Sequence, residues 1–289
     1  MHQFSRKVIL TYAFLYQIVN IKLQCMGMEE LKTDNIKSSI RYNYFNAHEW
    51  GNNYSECYGN RQSPINIDLS QIYPDDQGVN LTFHGYDVIP KEMKLLNNGQ
   101  KVNLNVEWVD FAPFVTIASS NYIFDSLHFH WGINDSDGSE HTFNYTSFPL
   151  EMHLVHYSDK YESFEKALNQ SDGLLVIGTV FQINEGEKSD ISPLAESILL
   201  IKNKSNSTTV EPFPLSTFKF TTEHGYYIYN GSVTRPLCWE NVLWILSTQI
   251  LSVTKEEMQC FRSIELLNNE KFNHRPIQSL NNRKIIYIP

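Results

Sequence analysis

Two short stretches constrain this chain more than any other. One is Ser126-Leu127-His128-Phe129-His130-Trp131-Gly132, and the other is Leu150-Glu151-Met152-His153-Leu154-Val155-His156. In each, apolar and aromatic residues alternate with polar ones, and no proline or internal glycine intervenes, which is the pattern of a β-strand. On a strand the side chains at i and i+2 share a face. Ser126, His128 and His130 therefore point one way. Glu151, His153 and Val155 share a face of the second strand, and His156 points to the other. Side by side, the two strands bring three imidazoles to one point. Three histidines with an open fourth position form the ligand pattern of a catalytic zinc ion. Iron is the poorer match, because its facial triads include a carboxylate ligand. Glu151 is placed to accept from the outer nitrogen of a neighbouring ligand, Ser126 to hold His128, and a backbone carbonyl to hold His130.

The rest of the chain reads as a mainly β fold with some helix (α+β). Strand-like runs recur at Val102–Trp108, Phe114–Ala118, Tyr122–Trp131, Leu150–Tyr157 and Leu174–Gln182, punctuated by Gly, Asn, Asp and Pro. Two short helices are expected. Tyr161, Phe164 and Leu168 have helical spacing, and Thr254-Lys255-Glu256-Glu257 has the spacing of a capping box ahead of Met258, Phe261 and Ile264. Residues 202–209 read as a polar surface loop. No internal repeat or interdomain linker appears, so a single domain is expected over residues 42–289, preceded by a polar segment over 28–41.

Residues 1–27 read as a signal peptide and leader, with Arg6 and Lys7 ahead of an apolar run from Val8 to Ile21. No later run has the length of a transmembrane span. Asn-x-Ser/Thr sequons at Asn53, Asn80, Asn134, Asn144, Asn169, Asn203, Asn206 and Asn230 suit a secreted glycoprotein. A net charge of −9 argues against nucleic-acid binding. The four cysteines, Cys25, Cys57, Cys238 and Cys260, include no CxxC pair and so no cysteine zinc knuckle. Cys57 and Cys238 sit in turn-like polar contexts and are the expected disulfide. Cys260 falls in an expected helix and reads as a buried free thiol.

Two further segments carry chemistry, Gly138-Ser139-Glu140-His141-Thr142 and Gly231-Ser232-Val233-Thr234-Arg235-Pro236. A buried glutamate paired with a threonine hydroxyl fixes that hydroxyl as a donor to the carboxylate and as an acceptor on its other side. Taken singly, each segment reads equally well as a structural turn.

Together these blocks resemble the α-class carbonic anhydrases. Arg61-Gln62-Ser63-Pro64-Ile65, Leu96-Asn97-Asn98-Gly99, Leu127 to Gly132, Gly138 to Thr142, Glu151 to His156 and Gly231 to Thr234 are similar to the signature blocks of that family and stand in its order. Asn273-His274-Arg275-Pro276-Ile277 to Arg283 is similar as well. The resemblance implies a central twisted, mostly antiparallel, ten-stranded sheet with a few short surface helices and a conical cleft. It implies a Zn2+ cofactor on His128, His130 and His153, and Thr234 with Glu140 orienting a zinc-bound hydroxide. It implies reversible hydration of carbon dioxide to bicarbonate and a proton. Glu151, Ser126 and Asn273 fall behind the ligands by the same matching. Val155, Val176, Val233 and Trp244 form the apolar wall for carbon dioxide, with Arg235 beside it, and Cys57 pairs with Cys238. A secreted monomer is the implied form.

Three positions depart from the pattern. Gln100 stands where efficient members carry a proton-relay histidine, and it has no group that titrates near neutrality. Arg235 occupies a usually small position, adding charge and bulk. Ser126 replaces a glutamine that holds the first ligand. An active enzyme with slowed proton transfer is the expectation. The competing readings are a zinc-retaining, weakly active secreted binding or matrix protein, a zinc hydrolase acting on esters, and a family member without metal, the last disfavoured because all three ligand histidines are present.

Overall fold

The computed structural model describes residues 42–76, 78–186, 189–220 and 223–289. The expected signal peptide and polar segment, with Cys25, lie outside these described residues.

Ten strands pair in one continuous ladder. In chain order they are β1 (Ile72–Pro74), β2 (Glu92–Asn97), β3 (Val102–Glu107), β4 (Ser120–Trp131), β5 (Leu150–Ser158), β6 (Leu174–Ile183), β7 (Ser207–Val210), β8 (Tyr226–Gly231), β9 (Val242–Ser247) and β10 (Ile285–Ile288). Their order across the sheet is β7-β2-β3-β4-β5-β6-β9-β8-β10-β1. Only β6 with β9 and β10 with β1 pair in parallel; the other neighbours are antiparallel. Three short strands flank this ladder and bring the sheet to thirteen: Leu81–His84 and Phe114–Ile117 pair together beside β4, and Leu251–Val253 pairs with β6. A separate parallel pair joins Asn66–Ile67 to Thr142–Phe143.

The sheet buries a core on each face, and the two-residue period of the strands decides which side chain joins which. Met152 and Leu154 of β5, and Leu175 and Ile177 of β6, belong to the larger core. Val155 of β5, and Leu174 and Val176 of β6, face the smaller one with Tyr229 and Trp244. Each fully buried Leu, Ile or Phe contributes about 1.5–3 kcal/mol, so this alternation fixes the register of the central strands. Residues 43–289 form one compact unit.

Among the described residues three α-helices lie outside the sheet: α1 (Phe164–Ala167), α2 (Ser192–Leu200) and α3 (Lys255–Arg262). The expected capping box is present at α3. The Thr254 hydroxyl accepts from the Glu257 amide, and the Glu257 carboxylate accepts from the Thr254 amide. Met258 and Phe261 are buried, and the Phe261 ring packs on Phe129 and Trp131. These two rings lie behind the histidines of β4, so α3 braces that strand from the back.

Two features differ from expectation. Helix α2 has only Leu194 and Ile198 as its buried stripe and a proline in its first turn, too little apolar spacing to read in advance. Residues 207–210 are not loop but edge strand β7, paired with β2 and burying only Val210.

Candidate metal centre

A β-bulge in β4 creates the face that carries the histidines. Phe124 pairs with His156, whereas Ser126 pairs with Val155, and the register shifts between them. Asp125 is the extra residue. Were the strand to alternate regularly through Asp125, Phe124, Ser126 and His128 would share one face. With the bulge, Phe124 stays in the larger core while Ser126, His128 and His130 turn to the other side. There His128 lies opposite His153, and His130 lies opposite Glu151. On the far side of β4, Asn103 pairs with His128 and Asn105 with Ser126.

The three imidazoles converge. Ring centroids are 5.1 Å apart for His128 and His130, 5.2 Å for His128 and His153, and 4.6 Å for His130 and His153. One nitrogen from each falls within 4.8 Å of the others, and all three residues are buried. Burial pushes the pKa of each ring below the ordinary histidine value, most strongly for His128 and His130, and the charges of neighbouring rings and Lys101 act in the same direction. The rings are therefore held neutral, with lone pairs available.

Two of the three are fixed from behind. His130 Nδ1 donates to the Asn273 carbonyl at 2.7 Å, leaving Nε2 buried without a hydrogen-bond partner. His153 Nε2 donates to Glu151 Oε1 at 2.7 Å. Gly178, opposite His153, gives them space: a Cβ there would lie 3.3 Å from Glu151 Oε1 and 2.7 Å from Leu246. His128 is different. The Ser126 hydroxyl donates to Asp125 at 2.8 Å, and His128 Nδ1 is buried with no partner. The contact expected between Ser126 and His128 is not made; Asp125 takes the Ser126 hydroxyl instead.

Glu140 enters from the loop before the Thr142–Phe143 strand. Its Oε1 accepts from the Arg275 amide at 2.9 Å. The Thr234 hydroxyl acts on the same carboxylate, while Oε2 makes no hydrogen bond of ordinary geometry and lies 3.5 Å from His130 Nε2. Burial, followed by the Glu151 charge, raises the Glu140 pKa well above the carboxylate range. Glu151 is equally buried, but His141 and His153 outweigh desolvation and hold it below that range.

The residues expected to form an apolar wall are neighbours across strands. Val176 pairs with Val155 on one side and with Trp244 on the other, and Val233 packs against the same cluster. Arg235 follows Thr234. It is half-buried, its guanidinium reaches the Pro236 carbonyl at 3.5 Å, and its charge acts on His128. Gln100 lies on the β2–β3 turn, where Asn98 Oδ1 accepts from the Gln100 and Lys101 amides and Gly99 takes φ +83°. Asn273 binds this turn to the histidine strand: its amide nitrogen donates to the Gln100 and Phe129 carbonyls, and its Oδ1 accepts from the Trp131 amide.

Cys57 and Cys238 form a disulfide with Cα atoms 4.9 Å apart. The Cys238 amide donates to the Arg235 carbonyl, so the bridge anchors the loop that carries Thr234. Cys260 is a free thiol but half-exposed, not buried as its helix position suggested. Among the described residues, no helix is long and apolar enough to cross a membrane.

The sequence model of the eukaryotic-type carbonic anhydrases matches residues 45–289. The chain belongs to this family. The activity class of these carbonic anhydrases is the reversible hydration of carbon dioxide. Among named relatives, carbonic anhydrase 6 of Bos taurus is 31% identical over 245 residues, covering 82% of this chain and 75% of the relative. Carbonic anhydrase 6 of Homo sapiens is 31% identical over 82% of this chain and 78% of its own. Carbonic anhydrase 6 of Canis lupus familiaris is 30% identical over 82% and 75%.

Residue-by-residue reading of the sequence left out Tyr229, Ser63 and the Gln62–Arg275 pair. Arg275 donates to Gln62 Oε1, the Ser63 carbonyl and the Cys57 carbonyl, and stacks 5.3 Å over Trp50. Tyr229 lies 88 residues from His141 and 166 from Ser63, and Gln62 lies 213 from Arg275; no local period marks such positions.

Proposed function

We propose that this carbonic anhydrase hydrates carbon dioxide with zinc held by His128, His130 and His153, and that its turnover is limited by proton transfer. The observation that carries the reading is the convergence of three neutral, buried imidazoles, two of which have their outer nitrogen committed to a fixed acceptor. The donor set fits a divalent cation. His130 Nε2 and Glu140 Oε2 are buried without hydrogen-bond partners, and the three rings are held neutral with lone pairs available.

Zinc, when bound, supplies the Lewis acidity that brings the pKa of a water to near 7, for which carbonic anhydrase is the standard case. The remaining work belongs to the chain. Glu151 and the Asn273 carbonyl hold His153 and His130 in the orientation and tautomer that keep the ligand nitrogens free. Thr234 donates its hydroxyl proton to Glu140 and presents a lone pair to the attacking hydroxyl group, setting its direction. Val155, Val176, Val233 and Trp244 keep water from the position of carbon dioxide. Arg235 supplies a cation beside the bicarbonate product. Gln100 offers no group that carries a proton near neutral pH, so the proton leaves through solvent and buffer.

Secretion and glycosylation are part of the same reading. The long-range disulfide suits an oxidising compartment, and all eight sequon asparagines are solvent-exposed. The alternative of a weakly active binding or matrix protein draws no support from a cleft that retains all three histidines with Thr234 and Glu140.

Stopped-flow hydration with and without added imidazole tests the reading. Imidazole raises turnover if the proton step is limiting. Substituting His130→Ala abolishes both bound zinc and rate; full activity without metal in that variant would sink the mechanism.

A further inference from the structure

Behind His153 runs a buried chain of hydrogen bonds that does not stop at Glu151. Glu151 Oε1 lies 2.7 Å from His141 Nδ1, and Oε2 accepts from the His141 amide at 2.8 Å. His141 Nε2 lies 2.6 Å from the Tyr229 hydroxyl, which lies 2.8 Å from Ser63 Oγ. Ser63 Oγ accepts from the Ser232 amide at 3.0 Å, and the Ser232 hydroxyl in turn accepts from the Ser63 amide at 2.9 Å. Every side chain in this series is buried. Gly231 keeps the route open, because a Cβ there would lie 2.1 Å from Ser63 Oγ.

For a neutral His141 ring, one proton assignment satisfies every link. An unprotonated Nδ1 on His141 would put two acceptors 2.7 Å apart, so Nδ1 carries the proton and donates to Glu151. Nε2 of the neutral ring is then an acceptor, and the Tyr229 hydroxyl donates to it. The Tyr229 oxygen accepts from the Ser63 hydroxyl, whose own oxygen is already receiving the Ser232 amide. All donors run toward one carboxylate, the carboxylate that also receives His153 Nε2–H. In such a series each bond polarises the next. The Tyr229 hydroxyl selects the His141 tautomer, and His141 in turn sets how much of the Glu151 charge is left for His153. The other end of the series is Ser232, two residues before Thr234.

We propose that Tyr229 is a positioning residue for the metal centre, fixing His153 through His141 and Glu151 and tying that ligand to the loop that carries Thr234. This rests on the reading of His153 as a zinc ligand. It adds that a hydroxyl three links behind the ligand sets how firmly the metal is held. The outer groups that fix a metal-ligating histidine typically contribute 10–100-fold to metal affinity, and a group one step further back is expected at the low end of that range.

The test is zinc affinity by chelator competition on the full chain, beside urea unfolding of the metal-free protein. Tyr229→Phe keeps the ring, which stacks on Trp244, and removes only the hydroxyl. Zinc affinity is expected to fall about tenfold, and the 15N shifts of His141 are expected to lose the single Nδ1–H tautomer. Ser63→Ala leaves the tyrosine in place but removes its donor, so a loss of about threefold is expected even if Tyr229→Phe fails to fold. A packing role alone would lower the unfolding midpoint of the metal-free protein and leave zinc affinity unchanged. Wild-type zinc affinity in both variants, with His153→Ala losing the metal, overturns the proposal and leaves the ligand reading intact. Undiminished zinc binding in His153→Ala overturns both.

Discussion

Ser126 and His128 share one face of a strand, yet the Ser126 hydroxyl donates to Asp125 at 2.8 Å and His128 Nδ1 is left buried without a partner. Of the three histidines at the site, His128 is therefore the one held least firmly from behind. Ser126→Gln places an amide oxygen within reach of that nitrogen. The variant is expected to release zinc more slowly, by roughly tenfold, in a chelator-exchange time course. An unchanged release rate would show that the gap behind His128 is already filled by water.

Gln100 sits on a turn whose backbone is fixed by Asn97, Asn98 and Asn273. A substitution there changes the side chain and little else. Gln100→His supplies a group that titrates near neutrality. Turnover in weakly buffered solution is expected to rise at least about tenfold, given the usual contribution of a positioned acid or base, and the benefit of added imidazole is expected to shrink in step. Stopped-flow rates over a buffer series provide both readings.

Arg235 meets no carboxylate within ion-pair distance among the described residues, and its guanidinium makes a long contact to the Pro236 carbonyl. A half-buried guanidinium in that position favours an anion in the cleft. Arg235→Thr is expected to raise the KM for bicarbonate roughly tenfold, in line with the loss of one charge-assisted hydrogen bond. Kinetics of bicarbonate dehydration measure it, and an unchanged KM would place the side chain outside the substrate's reach.

His156 lies on the opposite face of β5 from His153. Its Nδ1 donates to the Leu154 carbonyl at 3.1 Å, and its Nε2 accepts from the Tyr86 hydroxyl at 2.5 Å. Burial pushes its pKa down to about 3, against an ordinary value near 6.5. The folded state thus takes the neutral ring, whereas the unfolded chain binds a proton below about pH 6.5. The stability so contributed is fully present above pH 6.5 and is lost as the pH falls toward 3. The slope is about 1.4 kcal/mol per pH unit. His156→Gln is expected to remove that slope from urea-unfolding free energies measured between pH 4 and 6, while lowering stability at neutrality.

The bridge between Cys57 and Cys238 closes a loop with a sequence separation of 181 residues. Replacing both cysteines by alanine is expected to cost about 2–5 kcal/mol of unfolding free energy. Because Cys238 anchors the Arg235 carbonyl, the variant is also expected to lose turnover at temperatures where it remains folded. Comparing thermal unfolding with residual rate separates the two effects.

Much of this was legible in the sequence where the signal was local. Period-two alternation revealed β4 and β5 and the side on which His128, His130 and His153 lie. Thr254 and Glu257 announced α3. The resemblance then supplied what spacing did not, namely the partnership of Glu140 with Thr234, which come from loops far apart in the chain. Three things escaped. The bulge at Asp125 is invisible to a pattern that assumes strict alternation. The occupation of Ser126 by Asp125 depends on that bulge. The route from Glu151 to Tyr229 and Ser63 is a matter of tertiary packing, since its links join residues 10, 88 and 166 apart in sequence.

The bulge at Asp125 divides β4 into two segments of opposite phase. Even-numbered residues reach the larger core before it and odd-numbered ones after it: Tyr122 and Phe124, then Leu127, Phe129 and Trp131. A strand that alternated regularly through Asp125 would have to withdraw Phe124 from that core or turn the histidines into it. The extra residue is thus what lets one strand feed an apolar core along its whole length and still present Ser126, His128 and His130 on the opposite face.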